Sequence, residues 1–130
     1  MTFNGTILLV DDELHIRKFV TLLLKQIGSP KILEASNGEE ALALYASEKP
    51  DLVLLDISMP VLSGLDTLKQ LRAADPEAIV IMLTSLTNRQ SVEGALALGA
   101  VNYIRKDLPK EEIIQALNET IEGVFESENP

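Results

Sequence analysis

Five short, mainly apolar runs alternate along the chain with five longer segments of helical spacing. The short runs are 7–10, 31–34, 52–55, 79–83 and 101–104. The longer segments are 16–27, 39–47, 65–73, 90–98 and 111–125. Short runs of branched residues are typical of strands, and apolar residues three or four apart are typical of helices. Strict alternation with short connections predicts a parallel sheet covered by helices on both faces, with right-handed crossovers.

The polarity of the strands indicates their order in this sheet. Three runs are apolar throughout, whereas 31–34 and 101–104 contain polar residues. Strands buried on both faces belong at the centre of a parallel sheet, so the two polar runs should lie at its edges. The resulting order, 2-1-3-4-5, is that of the flavodoxin-like doubly wound α/β fold. Its ligand site lies at the carboxyl ends of the strands, beside the switch between strands 1 and 3.

The size and hydrophobic content of the chain are those of a single domain. It has 130 residues, and 46% of them are hydrophobic, which is enough to build one closed core. We expect one domain over 1–130, with its core at about 6–125 and a flexible acidic tail at 126–130.

The charge balance excludes several classes of function. Twenty acidic residues outnumber eleven basic ones, and the net charge of −9 should repel phosphate backbones and anionic lipid. We therefore expect neither direct nucleic-acid binding nor membrane association. The absence of cysteine excludes disulfides and cysteine-based zinc sites. No apolar run approaches the ~20 residues of a membrane-spanning helix, so we expect a cytoplasmic protein.

Three carboxylates follow two strands that should be neighbours. Asp11 and Asp12 come directly after strand 1, and Asp56 follows strand 3. Two carboxylates ~4 Å apart repel by ~4 kcal/mol at an effective dielectric near 20, so the cluster requires a cation or raised pKa values. Because only oxygen ligands are at hand, the cation should be Mg²⁺ or Mn²⁺. The alternative role for Asp11 and Asp12 is to cap the helix that follows.

A hydroxyl and an ammonium group should face the same crevice. Thr84 and Ser85 follow the apolar run of strand 4, and Lys106 lies just beyond strand 5. An isolated lysine there would be an ordinary surface charge. Carboxylates, a cation, a hydroxyl and a lysine together indicate a phosphoryl-transfer site, in which the protein positions groups and neutralises charge.

Four motifs at the strand ends resemble the receiver domains of two-component response regulators. They are residues 10–13, residues 55–60 with Gly64 behind them, the Thr84-Ser85 pair, and residues 99–106. The resemblance spans nearly the whole chain. It implies that Asp56 is the phosphoacceptor. It also implies that Asp12, Asp56 and the Ser58 backbone carbonyl bind Mg²⁺, with Asp11 acting through a metal-bound water.

The resemblance further implies a phosphorylation switch. Thr84 and Lys106 should hold the phosphoryl oxygens, and Tyr103 occupies the place of the family's rotating switch aromatic. The donor would be a sensor histidine kinase, a histidine phosphotransfer protein or a small phosphodonor. The face of helix 4, strand 5 and helix 5 should then change for a downstream target, an output domain or a second copy in a phosphorylation-dependent homodimer.

The residue after Lys106 departs from the family pattern. The family usually has proline after the lysine, whereas this chain has Asp107. A cis peptide before a non-proline residue costs ~2.5–4 kcal/mol, so we expect a trans Lys106–Asp107 bond, with Asp107 pairing with Lys106.

Ser58 and Leu86 should flank the path of attacking water. Neither is a base, so we expect slow self-dephosphorylation, with faster decay in Leu86→Glu.

The remaining candidate residues and the alternative functions have less support in the sequence. His15 should be an ordinary surface histidine, and Gly38 and Gly64 backbone devices at helix starts. A flavin mononucleotide carrier shares the fold, but Asp11 and Asp12 would repel its phosphate and tryptophan is absent. A phosphatase of the haloacid dehalogenase type would need Asp-x-Asp after the first strand. A receiver-like interaction module that is never phosphorylated remains the alternative, although every acceptor-site residue is present.

Overall fold

The computed structural model describes residues 3–59, 61–85 and 88–126 and contains a parallel sheet of five strands. The strands are β1 (Thr6–Val10), β2 (Lys31–Ala35), β3 (Leu52–Leu55), β4 (Val80–Thr84) and β5 (Asn102–Arg105). Their order is β2-β1-β3-β4-β5, which confirms the flavodoxin-like order predicted from strand polarity. The two more polar strands are the edges because only edge strands leave part of their surface to water.

Five helices connect the strands. They are α1 (Leu14–Leu24), α2 (Gly38–Glu48), α3 (Gly64–Ala74), α4 (Arg89–Ala97) and α5 (Lys110–Ile121). Side chains of Asn37, Ser63 and Asn88 accept hydrogen bonds from the third helical N–H groups of α2, α3 and α4. Such caps satisfy backbone donors that would otherwise lack partners, so each of these helices begins at a defined residue.

Two helices end three or more residues before the predicted segments do. The amides of Gln26 and Ile27 donate to carbonyls three residues back, so the predicted segment 16–27 closes in a tighter turn after Leu24. The predicted segment 111–125 is α-helical to Ile121 and continues as a π-helical segment, Glu122–Glu126. The tail predicted at 126–130 lies outside the described residues from 127 onward.

The sheet separates two apolar layers, because successive side chains of a strand point to opposite faces. Ile7 and Leu9 of β1 pack with α1 and α5, whereas Leu8 and Val10 pack with α2, α3 and α4. All four are almost fully buried. In the described part of the chain, no helix combines the length and apolar character needed to cross a bilayer.

The strand register brings the candidate site residues together at the carboxyl ends of the strands. Val10 of β1 pairs with Leu55 of β3, and Thr84 of β4 pairs with Arg105 of β5. The residues that follow these strands therefore leave the sheet at the same end.

Candidate functional site

Asp11, Asp12 and Asp56 lie together at the carboxyl edge of the sheet. Each contributes a carboxylate oxygen to a group in which all three oxygens lie within 4.8 Å of one another. Asp11 and Asp56 are each only 3% exposed, whereas Asp12 is exposed. The backbone amide of Asp56 donates to the Val10 carbonyl at 3.1 Å, so strand pairing fixes the distance between the two strand ends. The arrangement is a concentrated negative charge, open to solvent on the Asp12 side.

Lys106 places an ammonium between the two buried carboxylates. Its Nζ lies 2.7 Å from Asp11 Oδ2 and 3.2 Å from Asp56 Oδ2, and its side chain is 11% exposed. Burial lowers the pKa of Lys106, but the hydrogen bond to Asp11 and the charge of Asp56 outweigh burial and raise that pKa. Lys106 is therefore charged at neutral pH and offsets part of the repulsion within the cluster.

The two carboxylate oxygens of Asp56 differ in their contacts with the described residues. Its Oδ1 is buried and receives no hydrogen bond from any residue that the structure describes. A buried, unpaired carboxylate oxygen is costly unless a ligand or a cation completes it. Together with the all-oxygen donors of Asp11 and Asp12, this oxygen fits Mg²⁺ or Mn²⁺, which prefer carboxylate and carbonyl oxygens.

The turn after β3 holds Asp56 in place. The Gly64 amide donates to the Ile57 carbonyl at 2.8 Å, which folds the chain back over the end of the strand. A Cβ at Gly64 would overlap the Asp56 carbonyl oxygen, so only glycine permits this approach. Ser58, whose carbonyl was the expected third protein ligand, is exposed in the same turn.

Thr84 and Tyr103 lie on the neighbouring strands β4 and β5. Thr84 is fully buried at the end of β4. Tyr103 is half-buried against the core layer that faces α4, and burial together with the charge of Asp56 raises the pKa of its phenol. Leu86, which was expected to flank the path of attacking water, lies outside the described residues.

Comparison with known proteins identifies the family. The family model of the response regulator receiver domain matches residues 7–118. The chain belongs to this family. The receiver domain is 37% identical over 111 residues to the chemotaxis protein CheY of Listeria monocytogenes, which covers 85% of this chain and 93% of the relative. It is 36% identical over 120 residues to the nitrate/nitrite response regulator protein NarL of Escherichia coli K12, covering 92% of this chain and 56% of that one.

Solved structures of receiver domains share the fold. A chain of the CheX–CheY–BeF₃–Mg²⁺ complex from Borrelia burgdorferi is 33% identical, with a TM-score of 0.83 over 92% of this chain and 88% of that chain. The response regulator domain of Thermotoga maritima CheB is 30% identical, with the same TM-score over 93% and 96%. The doubly wound architecture predicted from the alternation of elements is therefore confirmed.

Asp107 of the receiver domain pairs with Arg105, so the prediction that it pairs with Lys106 was wrong. The Arg105 guanidinium donates to both Asp107 oxygens, from Nε at 3.0 Å and from Nη2 at 2.8 Å. The hydrogen bond from Arg105 also lowers the pKa of Asp107. A guanidinium fork matches a carboxylate better than one ammonium does, and Lys106 already has two buried partners. The Lys106–Asp107 bond is trans, as predicted.

Sequence reasoning missed Arg17 at this edge of the receiver domain. Its Nη1 donates to the Asp11 carbonyl at 2.7 Å, and its Nε donates to Glu34 Oε1 at 2.8 Å. Its side chain is 14% exposed. An arginine in the first turns of an amphipathic helix is ordinary. Nothing in the local sequence marks this one, because one acceptor is a backbone carbonyl and the other, Glu34, lies on another strand.

His15 and Gly38 have the structural roles that were predicted for them. His15 is exposed and its Nε2 lies 3.4 Å from Glu13 Oε2, as a surface histidine would. Gly38 begins α2 where an added Cβ would overlap the Thr67 hydroxyl oxygen, so it serves close packing. Neither residue is part of the acidic site.

Proposed function

We propose that this receiver domain accepts a phosphoryl group on Asp56. The observation that carries the proposal is the buried Asp56 Oδ1, which receives no hydrogen bond from the described residues, while Lys106 lies 3.2 Å from the other oxygen of the same carboxylate. The carboxylate can then hold a cation on one oxygen and attack phosphorus with the other, and the adjacent ammonium can offset the charge that gathers on the phosphoryl oxygens. One Asp56 oxygen forms a bond to phosphorus as the bond from phosphorus to the donor breaks.

The donor we propose is a phosphohistidine of a sensor kinase or histidine phosphotransfer protein, or a small acyl phosphate. Acceptance from either leaves an acyl phosphate on Asp56. This agrees with the family, whose members are signalling domains. The downstream reader would be a protein target or an output domain. The cytoplasmic location expected from the sequence remains a prediction.

Mg²⁺ would be held by Asp12, Asp56 and the Ser58 carbonyl, with Asp11 acting through water. The support is the group of three carboxylates and the likeness to a chain solved with BeF₃ and Mg²⁺. When bound, the ion would neutralise charge on the phosphoryl oxygens. Lys106 would keep its ammonium on Asp11 and the phosphoryl group, and the Thr84 hydroxyl would donate to a phosphoryl oxygen.

The same proposal includes a switch on the face made by α4, β5 and α5. Thr84 should move toward the phosphoryl group, and the space it leaves should let Tyr103 become more buried. A partner, an output domain or a second copy would read the altered face. Tyr103 exposure, measured by fluorine NMR on a fluorotyrosine-labelled protein with and without beryllofluoride, should fall. Unchanged exposure would contradict the switch.

Incorporation of phosphate is the direct test. Intact-mass measurement after incubation with acetyl phosphate and Mg²⁺ should show one added phosphoryl group on the wild type. Asp56→Asn should show none, and Asp12→Ala or a chelator should reduce incorporation at least tenfold, because the incoming charge is no longer offset. Labelling of Asp56→Asn at the wild-type rate would refute the acceptor assignment. No labelling of the wild type, with kinase donors also inactive, would favour the interaction module.

A further inference from the structure

Arg17 contacts the backbone just before Asp12, whose carboxylate is a proposed ligand of Mg²⁺. Its guanidinium donates to the Asp11 carbonyl and, from another nitrogen, to Glu34 on the neighbouring edge strand β2. The Asp11 carbonyl belongs to the peptide that joins Asp11 to Asp12. One planar fork therefore ties this peptide both to α1 and to β2.

Asp12 depends on its backbone for its position. It is exposed, and within the described ranges no residue donates a hydrogen bond to its carboxylate. Asp11, by contrast, is held by its amide to the Ala35 carbonyl at 3.1 Å and by its Oδ1 to the Glu13 amide at 2.9 Å. These bonds fix the Asp11 residue, but among the described residues only Arg17 donates to the carbonyl of the peptide that leads to Asp12.

Asp12 must also be held against repulsion. Its carboxylate lies in the group of oxygens within 4.8 Å, whereas the Lys106 ammonium neutralises Asp11 and Asp56 only. A freely moving Asp12 would turn into solvent, away from the like charges of its neighbours. Keeping its oxygen beside Asp56 before a cation arrives requires a fixed peptide.

We infer that Arg17 is a positioning residue for the Mg²⁺ site, which fixes the Asp11–Asp12 peptide so that the Asp12 carboxylate faces Asp56. This inference rests on the proposed function, since it takes Asp12 as a ligand of Mg²⁺. Groups that orient metal ligands typically change metal affinity by ~10–100-fold when they are removed. Arg17 does not touch the ion or the phosphoryl group in this arrangement.

Charge and position predict opposite effects for Arg17, which makes the inference testable. Loss of its positive charge makes the site more negative, so a purely electrostatic role predicts tighter Mg²⁺ binding in Arg17→Met. A positioning role predicts weaker binding, because the Asp12 carboxylate is no longer held beside Asp56. The sign of the change in affinity therefore separates the two.

Arg72 supplies a matched control at the amino ends of the strands, opposite the acidic site. Its Nη1 donates to the Ala78 carbonyl at 2.8 Å, the same kind of guanidinium-to-carbonyl bond as that of Arg17. Arg72→Met loses that bond and the same charge, but far from the carboxylates. It should lower the free energy of unfolding as Arg17→Met does, while leaving Mg²⁺ affinity unchanged.

The experiment is calorimetric titration of Mg²⁺ into the wild type, Arg17→Met, Arg17→Lys, Arg72→Met and Asp12→Ala. The expected result is about tenfold weaker binding in Arg17→Met, with wild-type affinity in Arg72→Met. Arg17→Lys keeps the charge but lacks the planar fork whose separate nitrogens reach the Asp11 carbonyl and Glu34, so it should bind at least about threefold more weakly. This second variant also covers the case in which Arg17→Met does not fold.

The outcomes separate this inference from the proposed function. If the wild type binds no Mg²⁺, or Asp12→Ala binds as the wild type does, the proposed metal site fails. If both of these behave as expected but either Arg17 variant that folds binds as tightly as the wild type, the positioning role is overturned. Equal weakening in Arg72→Met would also overturn it, because the effect would then be a general loss of stability.

Discussion

Any side chain at Gly64 should disturb the backbone that carries Asp56. An alanine there would push its Cβ against the Asp56 carbonyl oxygen and the Ile57 backbone, neither of which can move freely. Overpacking of this kind typically costs ~1–3 kcal/mol. We expect Gly64→Ala to lower the free energy of unfolding by ~2 kcal/mol, measured by urea denaturation, and to slow labelling of Asp56 by acetyl phosphate.

Gly94 in α4 is the matched control. A Cβ there meets a single atom of Leu65 at 3.9 Å, an ordinary contact, and a helical alanine is favoured over glycine by ~1 kcal/mol. Gly94→Ala should therefore raise the free energy of unfolding by up to ~1 kcal/mol. A destabilisation of Gly94→Ala equal to that of Gly64→Ala would show that the close approach at Gly64 is not the cause.

Val61 is strained beside the same turn. It has φ of 70°, in the left-handed region, and its side chain is 76% exposed, so little packing offsets the strain. For a β-branched residue this backbone conformation is a genuine outlier. Val61→Gly should raise the free energy of unfolding by ~1 kcal/mol, again in urea. Val61→Ala keeps a Cβ and should gain less; a loss of stability in Val61→Gly would argue against strain.

Residue identity alone could predict which side chains meet at the site, but not how they pair. Asp11, Asp56 and Lys106 were predictable because each follows a recognisable strand, and parallel strands end at one edge. The partners of Arg17 and Asp107 were not, because the choice between neighbouring charges depends on side-chain reach and burial. Asp107 lies next to Lys106 in sequence, yet the fork of Arg105 provides the better match.

At the scale of elements, Tyr45 connects the ends of α2 and α3. Its phenol donates to Asp75 Oδ2 at 2.7 Å, and this hydrogen bond is the main reason that the pKa of Asp75 is lowered. A carboxyl with a lowered pKa stabilises the fold above its unfolded pKa of ~3.9, and that contribution is lost as the pH falls through the lower folded value.

Tyr45→Phe should therefore have a pH-dependent effect. The variant keeps the ring but loses the donor, so its urea midpoint should lie below that of the wild type at neutral pH. The difference should shrink at acid pH, as the pH falls below ~3.9 and through the lower folded pKa of Asp75, where this carboxyl becomes protonated in the folded wild type. The same difference at both pH values would mean that the hydrogen bond does not depend on the Asp75 charge.

Helix starts were more predictable than helix ends. Asn37, Ser63 and Asn88 are good N-cap residues, and each begins a helix within a residue or two of the predicted start. The ends of α1 and α5 were predicted too late, because apolar spacing continues through a tight turn in one and a π-helical segment in the other. Hydrophobic periodicity reports which residues face the core and does not report hydrogen-bond geometry.

At the scale of the whole molecule, Mg²⁺ should stabilise the fold. A ligand that binds only the native state at 100 times its dissociation constant adds ~2.7 kcal/mol to the free energy of unfolding. We expect this gain in the wild type and its loss in Asp12→Ala. KCl of equal ionic strength is the control, since a net charge of −9 makes some general stabilisation by salt expected. Equal effects of KCl and MgCl₂ would contradict a specific site.

The topology of the whole molecule was accessible from sequence because it rests on few decisions. Alternation required a parallel sheet, and the polarity of 31–34 and 101–104 was enough to put those strands at the edges. The site followed from the topology, since the order 2-1-3-4-5 brings the ends of β1 and β3 together. The exact distances between its charges came only from the packed structure.

The two ends of the described chain lie against each other. The rings of Phe3 and Phe125 have centroids 5.1 Å apart, at the edge of the sheet where the strands begin. Strands of four or five residues separate this edge from Asp56 by ~15 Å. A short peptide could therefore join the two ends into a ring, and the ring could be reopened in a surface turn to give a circular permutant. In such a permutant, new ends could be placed beside the acidic site without moving any strand.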